Sequence, residues 1–151
     1  MTEERTTADV TTRRHFLATL ATAALCGCTG SSASPASFGT ASAGNVKDIP
    51  VGSLTAVGSD PVMIGRDAAG LYAMTVTCTH QGCDVEPTGS GNSVRVRCPC
   101  HGSAFDRNGA VTHGPADSPL AHFAVEVDAS GNVTIRGDKQ VGADVRTAVP
   151  T

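Results

Sequence analysis

Two short motifs decide how this chain folds: residues 78–83 read CTHQGC and residues 98–103 read CPCHGS. Each motif brings cysteine and histidine within three residues of each other, with a glycine close behind the histidine. Glycine takes backbone conformations that other residues avoid, so we expect each motif to be a tight loop wrapped around something bulky. Two such loops that converge would offer two thiolates and two imidazoles, a donor set that suits a metal centre.

These residues by themselves leave two other interpretations open. A set of two cysteines and two histidines could hold a zinc ion in a binding module without redox function, although six donors are then available for four positions. The four cysteines of the two motifs could instead form two disulfides beside two surface histidines, which would leave the glycines unexplained.

The flanking sequence predicts short β-strands. Residues 71–77 alternate and place Tyr72, Met74 and Val76 on one face, and residues 123–127 alternate in the same way. Asn108-Gly109 lies between two apolar segments and predicts a two-residue hairpin turn. No segment after residue 28 has a ten-residue helical period, so we expect an all-β domain over about residues 46–137, followed by a polar C-terminal tail over 138–151.

Composition excludes several classes of function. The 151 residues include 17 glycines and five aromatic residues (four Phe and one Tyr), and they are enough for one domain and a leader. The net charge is −3 and no cluster of Lys and Arg is present, so we expect no nucleic-acid partner. No Ser/His/Asp set or pair of carboxylates is placed for acid–base chemistry, so we expect no independent catalytic site.

The first residues resemble an export signal. Arg13-Arg14 precede an apolar run that spans roughly 16 Å as a helix, about half of a hydrocarbon core. This arrangement resembles a twin-arginine signal peptide over residues 1–27. Residues 25–28 resemble a lipoprotein cleavage box, which implies acylation of Cys28; the alternative is ordinary cleavage near Ala24. We expect export to the outer face of the cytoplasmic membrane, with a lipid anchor and a flexible tether over residues 28–45.

The two motifs together closely resemble the cluster-binding loops of the Rieske family, and residues 114–116 (Gly-Pro-Ala) resemble its proline loop. The resemblance implies a small domain of antiparallel sheets with a two-loop cluster-binding subdomain and a [2Fe–2S] cluster. It implies that Cys78 and Cys98 ligate one iron and that His80 and His101 ligate the other. Neutral imidazoles reduce the negative charge at such a site and raise its potential, to roughly −150 to +300 mV across the family.

The resemblance also implies a disulfide between Cys83 and Cys100. This bond is typical of members that are similar to the iron–sulfur subunits of quinol–cytochrome c reductases, whereas the ferredoxins of ring-hydroxylating dioxygenases usually lack it. Disulfides persist in oxidising compartments, which agrees with the export signal.

Three positions concern tuning and docking. Ser103 matches the serine whose hydroxyl donates to a bridging sulfide in the family, and such a bond raises the potential. Phe105 stands where many quinol-oxidising members have a tyrosine that donates to a cysteine sulfur, so we expect a lower potential than theirs. Gln81 stands where members bound in complexes often have leucine, which puts the usual docking at a quinol site in doubt.

From this resemblance we expect one-electron transfer to or from redox partner proteins: a quinol oxidoreductase, a cytochrome or a molybdenum enzyme. The leading expectation is the iron–sulfur subunit of a quinol–cytochrome c reductase or a stand-alone Rieske lipoprotein. The alternative is the Rieske small subunit of a molybdenum oxidoreductase such as arsenite oxidase.

Overall fold

A computed structural model describes residues 38–150 of the chain. The predicted signal peptide, Cys28 and the tether up to residue 37 lie outside the described residues. Within residues 38–150, no helix combines the length and the hydropathy that a membrane span needs.

The described residues form β-strands joined by turns and two short 3₁₀ helices, so the predicted all-β fold is confirmed. In chain order the strands are β1 (Thr40–Asn45), β2 (Leu54–Ala56), β3 (Val62–Asp67), β4 (Gly70–Thr75), β5 (Glu86–Thr88), β6 (Arg95–Arg97), β7 (Ala104–Phe105), β8 (Val111–His113), β9 (His122–Val127) and β10 (Asn132–Val141).

The strands make two antiparallel sheets. The larger sheet has the order β1-β10-β9-β4-β3-β2, and the smaller has the order β5-β6-β7-β8. The smaller sheet is formed by the chain between β4 and β9. The same stretch of chain contains both motifs. This arrangement is the two-part architecture that the resemblance implies.

Strand β4 is buried on both faces. Tyr72 and Met74 belong to a hydrophobic core shared with the smaller sheet, as the alternation predicted. Leu71 and Ala73, on the opposite face, belong to a second core formed mostly by β1, β3, β9 and β10. Since both faces of β4 are covered by apolar side chains, the strand that leads into the first motif is held firmly in place.

The hairpin between β7 and β8 is where it was predicted, but its turn differs. The N–H of Gly109 donates to the carbonyl of Asp106 (3.0 Å), so the central residues of the turn are Arg107 and Asn108 rather than Asn108 and Gly109. Gly109 follows the turn at a φ of 75°. A Cβ atom there would lie 2.9 Å from the Cβ of Leu120, so the close approach of the hairpin to the larger sheet also requires glycine.

Backbone pairing extends beyond the predicted range 46–137 at both ends. Strand β1 begins at Thr40, within the predicted tether, and pairs with β10 so that Ala41 is buried. Strand β10 continues to Val141, and Thr147 exchanges two backbone hydrogen bonds of 2.9 Å with Leu71. The small and polar side chains of both segments give no strand pattern in the sequence, because the pairing is made by backbone hydrogen bonds.

Arg146 connects the C-terminal segment to both sheets. Its Nε donates to Asp67 at 2.7 Å and its Nη2 donates to Asn108 at 2.6 Å, while the guanidinium lies 4.2 Å from the centre of the Tyr72 ring. Burial alone would raise the pKa of Asp67, but the hydrogen bond from Arg146 and two backbone N–H groups hold this pKa below its ordinary value.

His122 is a buried titratable residue beneath the same hairpin. Its Nδ1 donates to the carbonyl of Leu120 at 3.1 Å, which leaves Nε2 as a buried nitrogen without a hydrogen-bond partner among the described residues. Burial lowers the pKa of His122, and the charge of Arg146 lowers it further, against the opposing effects of the Leu120 hydrogen bond and the charge of Asp106. The folded protein therefore holds His122 in its neutral form.

We predict that His122 makes the domain less stable in mild acid. The unfolded chain takes up a proton near the ordinary pKa of 6.5, and the folded chain does so only at lower pH. The contribution of neutral His122 to the free energy of unfolding should therefore be fully present above that pH. It should decrease as the pH falls below it, by at most about 1.4 kcal/mol per pH unit. Apparent melting temperatures between pH 7.5 and 5 should fall less steeply for His122→Gln than for the wild type.

The matched control is His113→Gln, because His113 is exposed on β8. This variant should keep the wild-type slope. Equal slopes for wild type and His122→Gln would contradict the assignment of the acid sensitivity to His122.

Candidate metal centre

The first motif is the connection between β4 and β5, and it forms a closed turn. The N–H of Cys78 donates to the carbonyl of Cys83 at 2.8 Å, and the N–H of Gly82 donates to the carbonyl of Cys78 at 2.9 Å. Gly82 has a φ of 76°, in the region where a side chain is strained. The glycine thus lets the chain reverse direction between Cys78 and Cys83.

The second motif, between β6 and β7, repeats this turn. The N–H of Cys98 donates to the carbonyl of Ser103 at 2.8 Å, the N–H of Gly102 donates to the carbonyl of Cys98 at 3.1 Å, and Gly102 has a φ of 79°. The glycines therefore serve the same purpose in both loops, as the sequence indicated.

A disulfide between Cys83 and Cys100 joins the two loops, which confirms the predicted pairing. Cys78 and Cys98 are free thiols, each 2% exposed, and both belong to the core shared with Tyr72. The structure thus assigns two of the four motif cysteines to a covalent link and leaves the other two as buried donors.

The sulfur atoms of Cys83, Cys98 and Cys100 lie within 4.8 Å of one another. Two of these three atoms are bonded to each other in the disulfide and so do not act as thiolate ligands. Of the two free thiols that the structure describes, only Cys98 belongs to this close group.

The rings of His80 and His101 meet edge to face, with 4.9 Å between their centroids. Nδ1 of His80 is buried and has no hydrogen-bond partner among the described residues. A buried nitrogen in that state is costly unless something occupies its lone pair, and a metal ion would do so. Two free thiols and two adjacent imidazoles in converging loops therefore fit a metal centre, and the ligand set Cys78, His80, Cys98 and His101 stays a prediction.

A third loop, residues 114–118, is tied to both motif loops. The hydroxyl of Thr79 donates to the carbonyl of Ser118 at 2.6 Å, and the N–H of Ala116 donates to Oγ of Ser103 at 3.0 Å. The segment that resembles the proline loop is thus fastened on each side. The sequence did not predict this role for Thr79. The one feature of the sequence that points to it is the position of Thr79 directly after Cys78.

The two predicted tuning residues are both fully buried. The hydroxyl oxygen of Ser103 accepts from Ala116, so its hydrogen is available for a bond in another direction. Phe105 packs in the core that includes Cys78 and Cys98 and has no donor to offer to sulfur. Gln81 is exposed at the tip of the first loop.

Comparison with known families decides which metal centre this is. A family model described as the Rieske [2Fe–2S] domain matches residues 40–124, more than half of the chain. The chain belongs to the Rieske [2Fe–2S] domain family. The cofactor that the Rieske site holds is therefore a [2Fe–2S] cluster, and a zinc module or a pair of plain disulfides no longer accounts for the motifs.

The curated relatives of this Rieske domain include iron–sulfur subunits of the cytochrome b6-f complex. The cytochrome b6-f complex iron–sulfur subunit of Synechococcus sp. (strain CC9605) is 45% identical over 67 residues, and that of Prochlorococcus marinus (strain MIT 9211) is 45% identical over 69 residues. These alignments cover 44% of this chain but only 36% and 38% of the two relatives, so the chain spans little more than a third of their length.

Solved structures with the same fold include two that the chain covers almost completely. One is a chain from the complex of reduced oxygenase and oxidized ferredoxin in carbazole 1,9a-dioxygenase, at 30% identity and a TM-score of 0.50, with coverage of 68% of this chain and 97% of that one. The other is the plasma membrane Rieske protein of Synechocystis PCC 6803, at 27% identity and a TM-score of 0.50, with coverage of 63% and 97%.

We predict that Thr79→Val weakens the attachment of the third loop. The substitution keeps the volume but removes the 2.6 Å hydrogen bond to Ser118. It should lower the apparent melting temperature of the loaded protein by several degrees, as expected for a loss of about 1 kcal/mol in a domain of this size. Thr112→Val, on an exposed position of β8, is the matched control and should have little effect. Equal shifts in the two variants would show that the Thr79 bond does not matter.

We also predict that Phe105→Tyr raises the midpoint potential. A new hydroxyl that donates to a cysteine sulfur would favour the reduced site, and a difference of about 1 kcal/mol between redox states corresponds to roughly 40 mV. Phe123→Tyr makes the same chemical change in the other hydrophobic core and should leave the midpoint, measured by redox titration, unchanged. A midpoint that stays the same or falls in Phe105→Tyr would refute this account of tuning.

Proposed function

We propose that this protein is a one-electron carrier that works through its Rieske cluster at the outer face of the cytoplasmic membrane. The observation that carries the proposal is the position of the two imidazoles: the rings of His80 and His101 meet edge to face, and His101 is exposed. A cluster bound there supplies a one-electron redox couple. The exposed imidazole brings that couple within reach of a partner protein.

The chain's own residues hold this site rather than act on a substrate. The buried thiols of Cys78 and Cys98 lie in an apolar core that excludes water, and the disulfide and the third loop fasten the loops that bear them. Rigid surroundings of this kind keep the geometry the same in both oxidation states, as electron transfer requires.

The disulfide favours a carrier similar to the subunits of quinol-oxidising complexes. The relatives at 45% identity are named as iron–sulfur subunits of the cytochrome b6-f complex, and the pair Cys83–Cys100 is a feature that the ferredoxins of ring-hydroxylating dioxygenases usually lack. Because Gln81 gives the exposed loop tip a polar side chain, we propose a stand-alone lipoprotein carrier or an accessory subunit that docks through a polar surface.

The proposed location rests on residues 13–28 of the sequence. The twin arginines, the short apolar run and the cleavage box that ends at Cys28 support export followed by lipid anchoring. Export of an already folded protein agrees with a cofactor that is inserted in the cytoplasm and a disulfide that forms outside it.

A second candidate function is electron supply to an oxygenase. It is favoured by the near-complete coverage of a chain from the carbazole 1,9a-dioxygenase complex. The disulfide and the export signal argue against it, since both indicate an oxidising compartment. Rapid oxidation of the reduced protein by such an oxygenase, and not by membranes, would select this candidate.

We predict that Cys28→Ala releases the protein from the membrane. Without an acylated cysteine the exported domain has no anchor, so in cell fractions the variant should move from the membrane to the soluble periplasmic fraction. Cys26→Ala is the matched control, because it changes a neighbouring cysteine that the cleavage box does not acylate, and it should stay with the membrane. Equal distribution of the two variants would contradict the anchor.

The electron-transfer partner can be identified by isolating the full-length protein from solubilised membranes. We expect it to be reducible by one electron, to give a rhombic electron paramagnetic resonance signal, and to bring a cytochrome or a quinol oxidoreductase with it. A large molybdenum subunit would instead support the small-subunit alternative. A colourless product without iron would overturn the proposed function.

A further inference from the structure

The free thiol of Cys98 lies against the disulfide of its own site. Its sulfur is within 4.8 Å of both sulfur atoms of Cys83–Cys100, and all three belong to the described part of the chain. Cys78 is equally buried, at 2% exposed, but does not belong to this close group. The two cysteines predicted as iron ligands are therefore unequal toward the disulfide.

We propose that Cys98 attacks the Cys83–Cys100 disulfide whenever the cluster is absent. A thiolate breaks a disulfide by attack on one of its sulfurs, and the other sulfur leaves as a thiolate. When the cluster is present, the Cys98 sulfur is committed to iron and the exchange is suppressed. The site thus contains an internal thiol–disulfide switch that the cofactor holds in one position.

The surroundings indicate which sulfur is attacked. Cys100 is exposed and Cys83 is half-buried, so water solvates a departing Cys100 thiolate more fully than a departing Cys83 thiolate. A bond between Cys98 and Cys100 would also close a very small ring around Pro99, whose φ is fixed. Attack on the Cys83 sulfur is therefore favoured over attack on the Cys100 sulfur. The product is a Cys83–Cys98 disulfide with a free thiol at Cys100.

The exchange is balanced without any co-reactant. The Cys98 thiol gives up its proton as its sulfur bonds to the Cys83 sulfur, the Cys83–Cys100 bond breaks, and the exposed Cys100 thiolate takes up a proton, so the proton balance closes. One disulfide is consumed and one is formed, so no oxidant or reductant is needed. The consequence is functional: the rearranged protein lacks the Cys98 ligand and cannot accept a new cluster until the disulfide is reduced.

The test maps the disulfide in the full chain before and after loss of the cluster. The loaded protein is stripped with an iron chelator in thiol-free buffer without oxygen, sampled over time, alkylated under denaturing conditions and analysed by peptide mass spectrometry. Fragment ions between residues 98 and 100 distinguish the two cysteines of the second motif. We expect Cys83–Cys98 to appear within about minutes to hours, the range of uncatalysed disulfide rearrangement, with Cys100 newly alkylated and Cys78 alkylated throughout.

Every outcome decides the question. An intact Cys83–Cys100 bond with Cys98 alkylated would overturn the proposal. Bonds to Cys78 at a similar level, or disulfides between molecules, would also overturn it, because they indicate scrambling in an unfolded chain rather than attack by a positioned thiol. Unstripped protein alkylated in the same way should show only Cys83–Cys100.

Two matched variants and one reconstitution complete the design. Both Cys78→Ala and Cys98→Ala remove a predicted ligand and are produced without cluster, but only Cys98→Ala should retain Cys83–Cys100 indefinitely. In stripped wild-type protein, the fraction that can be reloaded with iron and sulfide should fall as Cys83–Cys98 accumulates, and it should recover after treatment with dithiothreitol. Failure of this inference would leave the proposed electron-transfer function untouched.

Discussion

The site depends on one backbone constraint, the turn in which a cysteine N–H bonds to the carbonyl five residues later. This bond occurs in both motif loops, at 2.8 Å in each, and glycine with positive φ completes both turns. Because the two turns match, Cys78 and Cys98 occupy equivalent positions in the two loops. The disulfide between Cys83 and Cys100 then joins the two loops covalently.

Two hydrophobic cores hold in place the strands that carry these loops. Strand β4 contributes Tyr72 and Met74 to one core and Leu71 and Ala73 to the other, and the first motif begins just beyond it. The core on the site side also includes Cys78, Cys98 and Phe105. The two predicted cysteine ligands are thus part of the folded interior, so binding of the cofactor and packing of the smaller sheet support each other.

The packing of the two loops also places the free thiol of Cys98 beside the Cys83–Cys100 disulfide. Cys98 and the pair Cys83–Cys100 share a small volume, which is the natural result of two loops that converge on one compact cofactor. The same arrangement lets Cys98 replace Cys100 as the disulfide partner of Cys83 when the cofactor is gone. The bound cluster therefore preserves the Cys83–Cys100 disulfide in addition to providing the redox activity.

The sequence by itself determined the chemistry, because donor residues, glycines and their spacing are local properties: the motifs at 78–83 and 98–103 and the all-β class could be predicted from the residues, and the pairing of Cys83 with Cys100 was implied by the family resemblance of those motifs. Only the tertiary structure decided where the domain ends, since Thr40–Asn45 and Thr147 are held by backbone pairing that their small or polar side chains do not reveal. It also decided which turn closes the hairpin, how Thr79 and Ser103 fasten the third loop, and which free thiol lies against the disulfide. Those features depend on distances between segments far apart in the chain, and such distances exist only after the two sheets have packed.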